Sequence, residues 1–115
     1  MRILLVDDEP LELFLSKRFL SIEFQVEGFN TLPEAIQWAK VNSFDVLVSD
    51  YYLGKNIQAQ DLLKELIAVK GKSFKSFVLT NYIDDGQKAE LIKAGFNGII
   101  EKPMSLEKFK STVGL

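Results

Sequence analysis

Short apolar runs alternate along this chain with segments of helical spacing, and four of the runs end in, or lead into, a residue that handles charge. Ile3 to Val6 runs into Asp7 and Asp8, Val46 to Val48 into Ser49 and Asp50, Phe77 to Leu79 into Thr80, and Ile99 to Ile100 into Glu101 and Lys102. Strands that alternate with helices build a parallel sheet covered on both faces. The carboxyl ends of parallel strands share one edge, which is where open α/β folds bind their ligands. Asp7, Asp8, Asp50, Thr80 and Lys102, far apart in sequence, are therefore expected to meet in one pocket.

The period of the apolar residues places the elements. Residues 2 to 6 read as a strand, and Pro10 opens a helix whose Leu11, Phe14, Leu15, Phe19 and Ile22 are expected to face the core. Leu13, Lys17 and Leu20 form a second line off that stripe, expected at the surface beside the pocket. Residues 24 to 29 suit an edge strand. Thr31 with Glu34 predicts a capping box for a helix that buries Leu32, Ala35, Ile36 and Ala39, with Trp38 off the stripe as a packing or surface residue. Residues 44 to 49 make a third strand, 54 to 60 a polar loop, and Leu62, Leu63, Leu66 and Val69 or Lys70 mark a third helix. Strands near 76 to 80 and 98 to 101 flank a helix from about 84 to 94. That helix carries Gly86 in its first turn and a thin stripe of Ala89 and Ile92, so it is expected to be the least stable. Ser105 caps a short last helix. The pattern predicts a single α/β domain over residues 1–115, a flavodoxin-like, doubly wound sheet of five parallel strands in the order 2-1-3-4-5.

Composition excludes several kinds of chemistry. The 115 residues, 47% of them hydrophobic, suffice for one core and show no second domain. The apolar runs are far too short for a membrane span and no signal-peptide pattern opens the chain, so a cytoplasmic protein is expected. A net charge of −2 with mixed signs argues against a general affinity for nucleic acid or anionic membrane. Without Cys or His there is no thiolate, no imidazole base and no zinc site of the usual kind, so any metal must be a hard, oxygen-loving cation. Any phosphohistidine must come from another molecule. Gly71-Lys72-Ser73 resembles the tail of a P-loop but follows a helix, and its first glycine would fall at Leu66.

Three carboxylates converging in a small pocket repel one another unless protons, a cation or an ammonium compensate. Mg²⁺ is the natural cation, since it takes six oxygens and keeps several waters. Asp50 is placed to act as a nucleophile toward a phosphoryl group, with the Lys102 ammonium and the Thr80 hydroxyl to hold the equatorial oxygens.

The acidic pair after the first strand, the lone Asp50 after the third, Thr80 after the fourth and Lys102-Pro103 after the fifth agree in type, order and spacing with one family. The chain resembles, over its whole length, a response-regulator receiver domain, the phosphoacceptor module of two-component signalling. The resemblance implies that Asp50 accepts the phosphoryl group and that Asp8, Asp50 and the Tyr52 carbonyl ligate Mg²⁺. Asp7 would orient a metal-bound water, Thr80 and Lys102 would bind the phosphoryl oxygens, and Lys102-Pro103 is a candidate cis bond. It implies a sensor histidine kinase or histidine phosphotransfer protein as partner, docking beside the first helix on the line of Leu13, Lys17 and Leu20. Downstream it implies a partner protein or a covalent output domain, with homodimerisation a further option. Such a domain catalyses only its own phosphorylation and dephosphorylation.

Several positions depart from the family pattern. Ile99 stands where an aromatic residue usually swings inward, which points to coupling through the main chain around 80 to 86 and the helix behind it. Gly54 replaces a frequent proline, the loop Lys55-Asn56-Ile57-Gln58 replaces an Asp-Gly, and Asn81 fills a position that is commonly small. Tyr52 and Tyr82 put two rings where water would approach the phosphoryl group, which implies slow autodephosphorylation. These departures also keep open a docking or dimerisation module that no longer uses phosphorylation. A phosphohydrolase of the Asp-x-Asp type is disfavoured, because Tyr52 takes the place of its second aspartate. The sequence is compatible with a stand-alone regulator and with the N-terminal part of a longer protein.

Overall fold

The computed structural model describes residues 1–115. Its elements in chain order are β1 (Arg2–Val6), α1 (Pro10–Leu20), β2 (Gln25–Phe29), α2 (Leu32–Val41), β3 (Val46–Asp50), α3 (Ala59–Lys70), β4 (Lys75–Thr80), α4 (Asp85–Ala94), β5 (Gly98–Glu101) and α5 (Leu106–Val113). All pairings between the five strands are parallel and the strand order is β2-β1-β3-β4-β5, as the sequence predicts. Because successive strand residues point to opposite faces, each central strand feeds two cores. Leu4, Val6, Leu47 and Val78 join Ala35, Ile36, Leu62, Leu63, Leu66 and Leu91 on the face covered by α2, α3 and α4. Ile3, Leu5, Val48, Phe77 and Leu79 join Leu20, Phe109 and Val113 on the face covered by α1 and α5.

Local signals set the helix ends. The Glu9 carboxylate accepts from the Leu11 N–H at 3.2 Å and Pro10 follows at the first position of α1. Thr31 caps α2 by accepting from the Glu34 N–H, but the Glu34 side chain turns to the Thr31 hydroxyl at 2.9 Å rather than back to the backbone. Trp38 packs between Phe29 and Phe44, with the Arg2 guanidinium 5.0 Å above its ring. The segment read as a loop to residue 60 ends earlier, because the Asp61 carboxylate accepts the Gln58 N–H at 2.8 Å and starts α3 at Ala59. Val69 is exposed, and Lys70 instead reaches the Asn42 carbonyl at 2.8 Å.

The first helix is turned from its expected orientation. Leu11, Phe14, Leu15, Phe19 and Ile22 are exposed, Phe14 by 58% and Ile22 by 69%, whereas Ser16 and Leu20 are buried and Leu13 packs against the core. The line expected to dock a partner is thus the packed one, apart from Lys17, which is exposed. The cause lies in the strand beneath. A Cβ on Gly28 would come within 3.1 Å of Leu13, so α1 lies close to β2, and the small Ser16 faces inward. Both stripes have helical spacing, and the close approach selects the one with less bulk.

The fourth helix also departs from its predicted stripe. Ala89 and Ile92 are exposed and Leu91 is its single buried residue. Its ends are well made, with an Asp84–Gln87 capping box and Gly95 in a left-handed conformation at φ 117°. Good caps on one anchor make α4 the helix with least tertiary support, in line with the sequence reading.

Candidate functional site

Strand register brings the charged ends together. Val6 lies opposite Ser49, Asp50 opposite Leu79, and Thr80 opposite Glu101. The ladder continues one residue further on both sides, where the Asp7 N–H donates to the Phe29 carbonyl at 3.1 Å and the Lys102 N–H to the Thr80 carbonyl at 2.9 Å. Asp7 and Lys102 are thereby held as added rungs of the sheet. Lys102-Pro103 is cis, as the resemblance suggested.

Asp7 is fully buried. Its Oδ1 accepts the Glu9 N–H at 3.0 Å, while Oδ2 is buried with no hydrogen-bond partner. Burial, reinforced by the negative charge of Asp50 and only partly offset by the Glu9 N–H and by Lys102, pushes its pKa up to about 7. Burial also raises Asp50, against the hydrogen bond from Lys102. The Lys102 Nζ lies 3.0 Å from Asp50 Oδ1 and 2.6 Å from Glu12 Oε2. Burial pulls the lysine pKa down, but these two carboxylates together raise it. The repulsion expected among the acids is thus eased in two ways, by the raised pKa of Asp7, which favours its neutral form, and by an ammonium beside Asp50.

Carboxylate oxygens of Asp7, Asp8 and Asp50 lie within 4.8 Å of one another, close enough to share one cation. The orphaned Asp7 Oδ2 is what a metal or a metal-bound water would satisfy. These carboxylate oxygens fit a hard divalent cation. In the loop that follows β3, the Ala59 N–H donates to the Tyr51 carbonyl at 2.8 Å and the Leu53 N–H to the Ile57 carbonyl at 2.9 Å. Thr80 is buried, one residue past the partner of Asp50, and its hydroxyl donates to the Tyr82 carbonyl at 3.3 Å. The rings of Tyr52 and Tyr82 are exposed.

Glu12 was not among the sequence candidates. It sits one turn after Asp8 on α1, and an acid in a first turn reads as complement to the helix dipole. Its place in the first turn of α1, directly after the acidic pair, is the one signal that puts it at the same end of the molecule. Beside it, a groove between α1 and the strand ends is lined by Leu15, Phe19, Asn81, Pro103 and Met104.

The model of the response regulator receiver domain family matches residues 3–114. The chain belongs to the response regulator receiver family. It is 28% identical over 111 residues to the transcriptional regulatory protein ComA of Bacillus subtilis, a match covering 93% of this chain and 51% of that one. The chain thus spans about half the length of this relative. Among solved structures, the fold is shared with a response regulator protein from Burkholderia pseudomallei, solved with a phosphorylated aspartic acid, a calcium ion and citrate. That pair superposes with TM-score 0.85 at 22% identity, over 96% of this chain and 65% of the other. A CheY-like receiver domain from Methanospirillum hungatei JF-1 matches with TM-score 0.81 at 25% identity, over 98% and 93%. No helix of this receiver is long and apolar enough to cross a membrane.

Proposed function

We propose that residues 1–115 form one phosphoacceptor domain in which Asp50 takes a phosphoryl group from a phosphohistidine on a sensor kinase or phosphotransfer protein. The observation that carries this is the contact of Lys102 Nζ with Asp50 Oδ1 at 3.0 Å beside the three-carboxylate cluster, on the strand ends of a receiver fold. An Asp50 carboxylate oxygen attacks phosphorus, the P–N bond breaks, and its electron pair leaves with the imidazole. Lys102 and the Thr80 hydroxyl orient the phosphoryl oxygens and offset their charge. Asp8, Asp50 and the Tyr52 carbonyl would hold Mg²⁺, with Asp7 positioning one of its waters. Bound there, the ion supplies charge neutralisation. The domain acts on no separate substrate, and Tyr52 and Tyr82 at the mouth slow the return of water.

Intact mass of the purified protein with Mg²⁺ and acetyl phosphate tests the reading. A phosphoryl adduct is expected on the wild type and on neither Asp50→Ala nor a metal-free sample. A folded wild type that takes no adduct from acetyl phosphate or from its kinase would leave the fold to act as a docking module.

The kinase is proposed to dock on the exposed stripe of α1, which adjoins the site through the groove. This moves the contact from Leu13 and Leu20 to Phe14 and Leu15. Phe14→Asp should slow transfer from the kinase about tenfold or more, as loss of an aromatic anchor does, while leaving labelling by acetyl phosphate intact. Equal rates of kinase transfer in wild type and variant would place the contact elsewhere. The signal is proposed to leave through α4, β5 and α5, with Ile99 packed against the core where an aromatic switch would otherwise move.

A further inference from the structure

The Lys102 ammonium is shared. It has three N–H donors, and the shorter of its two contacts goes to Glu12, not to the proposed phosphoacceptor. Glu12 comes from α1, 90 residues away in sequence, whereas the other charged groups of the site stand at strand ends. The pair is well formed because the lysine side chain is only 12% exposed, and a charge-assisted bond is strong where water is scarce. The Glu12 carboxylate is 41% exposed and lines the groove that leads to the site. An incoming phosphoryl donor therefore meets a fixed negative charge and a lysine already engaged.

We infer that Glu12 is a positioning residue that competes for Lys102 and so discriminates against small anionic phosphodonors. The inference rests on the reading of Asp50 as phosphoacceptor. In the reaction with acetyl phosphate, an Asp50 oxygen forms the new bond to phosphorus and acetate leaves with the electrons of the old P–O bond. The product carries more negative charge than the carboxylate it replaces, and Lys102 must turn toward it. Each part of that change is opposed by a carboxylate one ammonium away. A protein donor seated on the apolar stripe of α1 gains binding energy that a small donor lacks, so the opposition falls selectively on small donors.

The test is the initial rate of Asp50 labelling by sub-saturating acetyl phosphate with Mg²⁺, at low and high salt, for wild type, Glu12→Gln, Glu12→Asp and the distant control Glu65→Gln. Removing one fixed charge beside a dianion is expected to raise the rate of Glu12→Gln about 5-fold at low salt, with the gain shrinking at high salt as screening takes over. Glu12→Asp should stay near the wild type and Glu65→Gln should match it. A Glu12→Gln rate equal to or below that of a labelled wild type, in protein with unchanged circular dichroism, overturns the role of Glu12 alone. Absence of any Asp50-dependent adduct in wild type and Glu12→Gln overturns the phosphoacceptor reading and this inference with it.

Discussion

Asp7→Asn is expected to make the metal-free protein more stable, not less. In the fold the Asp7 carboxyl has its pKa raised from 3.8 to about 7, so the protonated form is the one the folded state favours. A group shifted in this sense contributes its full stability below the unfolded value near 4 and loses it as pH rises through 7. At pH 8 the ionised, half-unpartnered carboxylate costs the fold at most about 4 kcal/mol. Asp50 is displaced in the same direction and adds to the trend, whereas the raised pKa of Lys102 matters only in strongly alkaline solution. In chelator, the wild type should melt more than about 5 °C lower at pH 8 than at pH 5.5. Asp7→Asn should abolish most of that difference, because its neutral amide needs no proton while its oxygen still accepts the Glu9 N–H. Divalent metal reverses the wild-type trend, since it binds the ionised form, and its affinity should fall as pH drops below 7. Melting curves that coincide at the two pH values without metal would show that Asp7 is solvated and carries no such penalty.

Leu91→Ala should detach one helix. Leu91 is fully buried and is the only buried residue of α4, so truncation removes the helix's hydrophobic anchor. Leu-to-Ala changes in cores cost about 2–5 kcal/mol, more than a ten-residue helix with two good caps can supply by itself in water. Hydrogen exchange of residues 85–94 should approach that of an exposed segment, while β1, β3 and β4 keep their protection. Exchange that rises equally in the sheet and in α4 would mean that the helix is part of the global folding unit and not a separable one.

These two residues also mark where sequence reading succeeds and where it stops. The strands, their order and the gathering of Asp7, Asp8, Asp50, Thr80 and Lys102 were legible, because short apolar runs that end abruptly in charge leave one arrangement of buried strands. The faces of α1 and α4 were not. On α1 two stripes share the helical period, and the choice depends on Gly28 and Ser16, a contact between elements that no local pattern encodes. On α4 the stripe was set by Ala89 and Ile92, whereas the sheet meets Leu91, and a helix of such weak amphipathicity gives periodicity little to read. Glu12 escaped because its meaning lies in Lys102, 90 residues away. The start of α3 was misplaced for a local reason, since Gln58 is a less usual cap than Ser, Thr, Asp or Asn.

Asp7 and Lys102 ride on the sheet as extra rungs, fastened to Phe29 and Thr80 by their own backbones. The width of the acidic mouth is therefore quoted in strand spacings, a unit that surface drift does not alter. The proposed kinase contact lies on a different layer, the outward rings of α1. With the contact on that layer, a foreign α1 surface can be grafted without moving the strand-end residues. Glu12 belongs to α1 yet holds Lys102 at 2.6 Å, so it is the position to keep fixed when the rest of the helix is exchanged.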